Sequence, residues 1–285
     1  MTVFRLVSSH KARLESCPFG VSSYLVGLHD HLFFQDTFVE SEHTEHLMRW
    51  ASECGIDIIK PGPYKRFHIA AVVMDMDSTL ITIECIDEIA DFIGKKSEVA
   101  EITEEAMQGK IPFADALNKR VALLAGLPVS TLEAVYQQRL ALSPGAELML
   151  EGFKAVGATT LLVSGGFSFF TNRLKERLGL DAAYANTLEV RNGLLTGRIE
   201  GNIVDGEAKA QHLLRLKASL LHTLSVTDES PRAIIAIGDG SNDRLMFAEA
   251  DVGVAYHAKP ILESVATYCI RYGGLDTLLA YFSEQ

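Results

Sequence analysis

Between Ala70 and Leu80 the chain reads AAVVMDMDSTL, and this stretch restricts the available folds more than any other. Ile69 to Val73 is a short, unbroken apolar run, the pattern of a strand covered on both faces. The run ends in two carboxylates, Asp75 and Asp77, and then turns polar at Ser78 and Thr79. Residues two apart on a strand share a face and stand roughly 6–7 Å apart. Both acids are therefore expected to reach one bound group, with Met76 pointing away into the protein. Two carboxylates at the end of a buried strand repel each other and lose hydration, so the arrangement calls for a cation. Two acids in a solvated turn is the plainer alternative, and other stretches must decide between them.

The chain of 285 residues is 48% hydrophobic and 22% charged, the balance of a soluble globular protein with room for one large domain or two. Its net charge of −11 disfavours nucleic acid or anionic lipid as a partner. An anionic substrate has to be drawn in by local cations or a metal. Apolar runs such as Ile234 to Ile237 are far shorter than the ~20 residues of a membrane span. The N-terminal stretch has no apolar core of signal-peptide length. Cys17, Cys54, Cys85 and Cys269 are scattered without paired metal spacing, as in a cytoplasmic protein with reduced, buried thiols. A homodimer is left open.

Residues 1–63 are expected to form a small α+β unit. VFRLV, YLVGL and HLFFQ read as strands, and Ser41 to Cys54 as a helix with Leu47, Met48, Ala51 and Cys54 on one face. Trp50 is expected to pack against the small sheet, and His43 and His46 to be solvated. The proline-broken stretch KPGPYKR marks the boundary to a second domain, residues 68–285. There, after the opening strand, residues from about 84 to 142 are almost entirely helical in pattern and read as a cap over the strand ends. Strands and helices then alternate through ATTLLVSGG, FSFFTNRLKERLG, GEAKAQHLLRLKASLL and RAIIAIGDGSND. Asn192-Gly193 sits between strand-like runs as a hairpin signal. The alternation implies an α/β fold with a doubly wound parallel sheet, whose ligands bind at the carboxyl ends of strands.

Three strand ends carry polar residues of three kinds. Ser164-Gly165-Gly166, at the end of a strand and before a helix, offers backbone N–H groups and a hydroxyl to an anion, a glycine turn needed only for geometry being the plainer alternative. Asp239 and Asp243 flank Gly240-Ser241-Asn242, and beside Asp75 and Asp77 they make a hard-cation site, best suited to Mg²⁺. Lys209 falls in the first turns of its helix, beside an inward face of Ala210, Leu213, Leu216 and Leu220. Glu84 and Arg120, in the helical block, are unremarkable by spacing.

DMDST, the serine of LLVSGG, Lys209 in GEAKA and GDGSND are similar, in chain order, to the four motifs of the haloacid dehalogenase superfamily. IECIDEIA, EAMQGKIPF, KRVALL, VSGGFSFF, LTGRIEG and YHAKPIL more narrowly resemble the members of that superfamily that dephosphorylate phosphoserine at the end of serine biosynthesis. The resemblance runs from about His68 to the C-terminus. It implies a Rossmann-like core with an inserted helical cap and Mg²⁺-dependent hydrolysis of O-phospho-L-serine. It assigns Asp75 as nucleophile and Asp77 as general acid and base, with the metal on Asp75, Asp239 and the Asp77 carbonyl. Lys209, Ser164 and Gly165 would hold the phosphoryl oxygens, with Asn242 and Asp243 orienting the metal shell or Lys209. From the cap, Glu84 would take the substrate ammonium and Arg120 its carboxylate, while Met107 and Phe113 wall the pocket. Two alternatives stand beside this: a phosphatase or phosphotransferase for another small phosphomonoester, such as phosphohomoserine or phosphothreonine, and a catalytically silent amino-acid sensor.

Overall fold

The computed structural model describes residues 1–19, 26–29, 31–107, 110–223 and 232–282. Its first element, β1 (Thr2–Ser8), is followed by α1 (Lys11–Glu15), β2 (Val26–His29), β3 (Leu32–Val39), α2 (Thr44–Glu53) and β4 (Asp57–Ile59). The four strands form an antiparallel sheet in the order β2-β3-β1-β4. Of the YLVGL run, only its last three residues lie within the described residues. On α2, Leu47 and Ala51 are buried whereas Met48 is 40% exposed. Each helical residue turns about 100°, so Met48 leaves the stripe that Leu47, Ala51 and Cys54 share. Trp50 packs against the cluster of Phe4, Leu6 and Leu47, and His43 and His46 are exposed.

Alternation along β1 and β3 divides this sheet between two neighbours. Phe4 and Leu6 face α1 and α2, while Val7, Leu32 and Phe34 join the main core of the chain. Arg5 points the same way as Val7. It is 1% exposed, pairs with Asp36 directly opposite at 2.7 Å and lies over the Phe34 ring at 4.6 Å.

The larger body begins with β5 (Ile69–Met74), buried at every residue. Four helices follow, α3 (Cys85–Asp91), α4 (Lys96–Met107), α5 (Phe113–Ala122) and α6 (Ser130–Gln138). After them come α7 (Ala146–Lys154), β6 (Thr159–Phe167), α8 (Ser168–Leu178), β7 (Ala182–Arg191), β8 (Leu194–Glu200) and α9 (Gly206–Thr223). The chain ends with β9 (Ala233–Gly238), α10 (Arg244–Glu249), β10 (Val252–Tyr256), α11 (Pro260–Glu263), β11 (Tyr268–Ile270) and α12 (Thr277–Tyr281). The sheet order is β11-β10-β9-β5-β6-β7-β8, with every pair parallel except β7 and β8. Alternate residues serve opposite faces. Val72, Met74, Ile235 and Ile237 belong to one core, Ala71, Val73, Ile234 and Ala236 to another. The chain leaves β5 to β6 on one side and returns as β9 on the other, so a crevice opens at the carboxyl end of β5. Among the described residues, no helix is long and apolar enough to cross a membrane.

The helices α3 to α6 stand over that crevice on two antiparallel linkers. Ile81 bridges to Leu142, Ser143 N–H donates to the Leu80 carbonyl at 2.9 Å and Thr82 N–H to the Ala141 carbonyl at 3.0 Å. The β7–β8 hairpin turns at Asn192 (φ 50°) and Gly193 (φ 77°), left-handed positions that suit an Asn-Gly pair. It props the helical block through Leu195, whose N–H donates to the Leu127 carbonyl at 2.7 Å. Gly197 is needed for this contact, since a Cβ there would lie 2.9 Å from that of Ala125.

The small sheet is fastened to the end of the chain. Buried Asp57, on β4, accepts the backbone N–H groups of Arg271 and Gly273, each at 2.7 Å, and of Tyr272 at 3.2 Å. Arg5 Nη1 donates to the Ala280 carbonyl of α12 at 2.8 Å. Leaving buried backbone donors without an acceptor costs about 1–3 kcal/mol each, so Asp57→Ala is expected to lower stability by about 2–5 kcal/mol. Urea unfolding checks this, and a loss under about 1 kcal/mol would contradict the fastening role.

Candidate active site

At the end of β5 the strand does not run on through both acids. It stops at Met74, and residues 76–80 wind into a wide turn in which Ser78 adopts φ 54°. Asp75 begins that turn, its Oδ1 accepting the Met76 N–H at 2.7 Å. Met76 is buried, as the sequence indicates. Asp77 keeps an extended backbone within the turn, and its Oδ1 accepts the Cys85 N–H at the start of α3 at 3.1 Å. A winding turn, rather than strand alternation, brings both carboxylates to one cavity.

That cavity is about 250 Å³ and lies between the strand ends and the helical block. Asp75, Asp77, Ser164, Gly165, Asp239 and Asn242 line it from the sheet side, and Glu84, Phe113 and Arg120 from the helices. Met107 closes α4, but its side chain lies outside the described residues. β6 continues through the two glycines to Phe167, so Ser164-Gly165-Gly166 closes the strand as the sequence indicates. The Gly166 N–H is taken by Ser164 Oγ at 2.9 Å. Gly166 also leaves the space that Asp77 occupies, since a Cβ there would come within 2.5 Å of Asp77 Oδ2. The ring of Phe113 presses on Gly165 in the same way, at 3.2 Å from a Cβ built there.

Lys209 does not line the cavity. It is fully buried behind it, with Nζ 2.6 Å from Asp75 Oδ2 and 2.8 Å from Asp243 Oδ1. Burial alone would lower its pKa, but the Asp243 and Asp75 charges outweigh this and hold it protonated. Asn242 Nδ2 adds a third contact to Asp75 Oδ2 at 3.2 Å. Asp243, pushed up to about 6 chiefly by burial, also accepts the Gly240 N–H at 3.3 Å.

Carboxylate oxygens of Asp75, Asp239 and Asp243 lie within 4.8 Å of one another. Among the described residues, none donates to the Asp239 carboxylate. Burial, then the Asp75 and Asp243 charges, push it up to about 7. An acid with no partner beside two others, all hard oxygen donors, fits a divalent cation. Desolvation in the cleft, then Glu84 and Asp75, hold Asp77 well above the ordinary carboxylate range. Glu84 is raised too, first by desolvation, while Ser78 Oγ donates to it at 2.6 Å. Among the described residues, the Arg120 guanidinium donates to the Ala116 carbonyl at 3.3 Å and to Thr103 Oγ1 at 3.4 Å. Among the described residues, no carboxylate is within ion-pair distance of it.

Two residues that spacing does not single out belong to the site. Asn186 on β7 fixes the Gly165 carbonyl at 2.8 Å and accepts the Val204 N–H at 2.7 Å. Lys259, three residues beyond β10, lines the cavity, and its N–H donates to the Asp239 carbonyl at 2.9 Å. Its place after a parallel strand and its position within the YHAKPIL stretch were the available signals.

Comparison with known proteins gives the family and the fold. The sequence model for haloacid dehalogenase-like hydrolases matches residues 72–248. A phosphoserine phosphatase of Polaromonas sp. is 49% identical over 213 residues, covering 73% of this chain and 87% of that protein. A HAD family hydrolase of Salmonella enterica subsp. enterica serovar Typhi superposes with a TM-score of 0.82 at 30% identity, covering 100% of this chain and 98% of the other. A phospho-aspartyl intermediate analogue of phosphoserine phosphatase superposes with a TM-score of 0.66 at 40% identity, covering 75% and 99%.

The unpartnered Asp239 gives a pH-dependent expectation. A raised carboxyl stabilises the fold while it is protonated, and that contribution is lost as pH rises through about 7. Metal ligands must be ionised, so a divalent cation competes with protons here. The rise in melting temperature on adding Mg²⁺ should therefore grow from about pH 5 to about pH 8 and be much reduced in Asp239→Asn. A shift independent of pH, or unchanged in the variant, would refute the site.

Proposed function

The chain belongs to the haloacid dehalogenase-like hydrolases, and from that premise we infer that it hydrolyses O-phospho-L-serine to L-serine and phosphate through an aspartyl-phosphate. The observation that carries this reading is a single small cavity with two kinds of selector. Asp75 and Asp77 meet it from the sheet side, Glu84 and the uncommitted guanidinium of Arg120 from the helical side. Those two match the ammonium and carboxylate of an amino acid, Arg120 as a bidentate fork.

Asp75 is the nucleophile. Its carboxylate, oriented by Lys209, Asn242 and the Met76 N–H, attacks phosphorus in line as the bond to the serine oxygen breaks. Asp77, held protonated by its surroundings, gives its proton to that leaving oxygen. It then takes a proton from the water that attacks phosphorus, and the bond from phosphorus to Asp75 breaks to release phosphate. Ser164 Oγ accepts from Gly166 and so has its own proton free to donate to a phosphoryl oxygen. Lys209 acts from behind, holding Asp75 aimed. Asp75, Asp239 and the Asp77 carbonyl are suited to hold Mg²⁺, with Asn242 and Asp243 steadying that set. When bound, the ion supplies positive charge that offsets repulsion between the carboxylate and a phosphate carrying about −1.5 to −2 charges.

Three outcomes check this reading. Asp75→Asn keeps the shape but cannot attack phosphorus, and should retain less than about a hundredth of the wild-type rate. EDTA should abolish activity, Mg²⁺ restore it, and Ca²⁺, with its longer and looser coordination, inhibit. Each of Glu84→Ala and Arg120→Ala should cost about 10- to 150-fold in kcat/KM for phosphoserine, from a charge-assisted bond of about 1.5–3 kcal/mol, and leave p-nitrophenyl phosphate nearly unaffected. Equal losses on both substrates would assign the pair a structural role and remove the physical basis for phosphoserine selection.

A further inference from the structure

We propose that Lys259 is the cation that captures the phosphate dianion at the rim of the pocket, and so sets the preference for doubly charged phosphomonoesters. This rests on the phosphomonoester reading above but not on the identity of the alcohol released. Among the described residues, Arg120 and Lys259 are the only cationic side chains lining the cavity. Lys209, the other cation near the nucleophile, is fully buried and committed to two carboxylates. It cannot be the group that an incoming phosphate meets first. Arg120 belongs to the helical side, with the Glu84 carboxylate lining the same cavity. That leaves the phosphate end of the substrate facing Asp75, Asp77 and Asp239, with Lys259 as the lining side chain that adds to the charge of a bound Mg²⁺ there.

Lys259 is placed for this work by an anchored backbone. Its N–H donates to the Asp239 carbonyl at 2.9 Å, and its own carbonyl accepts the Leu262 N–H at 2.9 Å and the Glu263 N–H at 3.2 Å. Pro260 opens α11 directly after it and fixes the direction of the chain. The residue is exposed, and among the described residues no carboxylate is within ion-pair distance of its ammonium. Its side chain lines the same cavity as the Asp239 and Glu84 carboxylates, as expected of a cation at the mouth between them. In a chain of net charge −11 a dianion approaches against the overall field, and a local lysine reverses that field where it matters.

Capture before chemistry predicts an effect on binding rather than on turnover. With the full chain and saturating Mg²⁺, Lys259→Met should raise KM for phosphoserine about 10- to 100-fold and leave kcat within about threefold. Lys259→Arg should restore most of the loss. The inhibition constant of inorganic phosphate should rise by the same factor, and the salt dependence of kcat/KM should flatten. The loss should be equally large with p-nitrophenyl phosphate, which separates this role from that of Arg120. If phosphoserine proved not to be the substrate, the Lys259 effect would persist on whichever phosphomonoester is hydrolysed. Unchanged KM and phosphate inhibition in Lys259→Met would overturn the proposal. So would a fall confined to kcat, or an unchanged KM with a reduced Mg²⁺ requirement, which would mean that the lysine only offsets the acid cluster.

Discussion

The ion triad of Asp75, Lys209 and Asp243 is the interaction on which the site depends. Two nearly buried carboxylates at the ends of neighbouring strands would be prohibitive by themselves, because desolvation of each charge costs several kcal/mol. One ammonium within 2.8 Å of both satisfies them together. The cost of a lysine buried this deeply is offset in turn only because it has two acids. The triad therefore ties three separate elements, the β5 end, the turn after β9 and helix α9, into one mutually dependent unit. It also leaves Asp239 out, and that carboxylate, with no donor among the described residues, is the one suited to a cation.

Around this fixed centre, selectivity comes from charges left uncommitted. Arg120 and Lys259 have no carboxylate partner among the described residues, and Asp239 has no donor. On the proposed reading each matches a complementary group: a carboxylate, a phosphate and a cation respectively. A surface with overall negative charge thus encloses a cavity with alternating local signs. The helical block that carries Glu84 and Arg120 stands on two short linkers paired at Ile81 and Leu142, so the charges of that block and those of the strand ends sit on parts joined at one narrow place.

Much of this was legible in the sequence, for identifiable reasons. Asp75, Asp239 and Ser164 end continuous apolar runs, and a parallel sheet directs such residues to its carboxyl edge. The hairpin at Asn192-Gly193 follows from backbone sterics alone. What the sequence conceals is the direction of single side chains. Strand alternation suggests that Asp75 and Asp77 share a face, but the chain reaches that result through a left-handed Ser78. Met48 sits one residue off the helical stripe that its hydrophobicity suggests it joins. β6 runs through two glycines because Phe113 and Asp77 occupy the space that side chains would need there. Asn186 is set by tertiary contacts and has no local pattern, while Lys259 lies in the YHAKPIL stretch without any spacing that marks its role. The three residues of β4 are too few to show a period.

The fastening of the small sheet to α12 has a consequence for the newborn chain. Arg5 and the Ala280 carbonyl are 275 positions apart, yet they are hydrogen-bonded in the interior. Asp57 likewise closes on amides more than two hundred positions later. As the chain emerges from the ribosome the small sheet can pair its strands, but Arg5 and Asp57 must wait for partners made more than two hundred residues after them. The sheet therefore stays unfastened through that interval, and α12 acts as the latch that closes it.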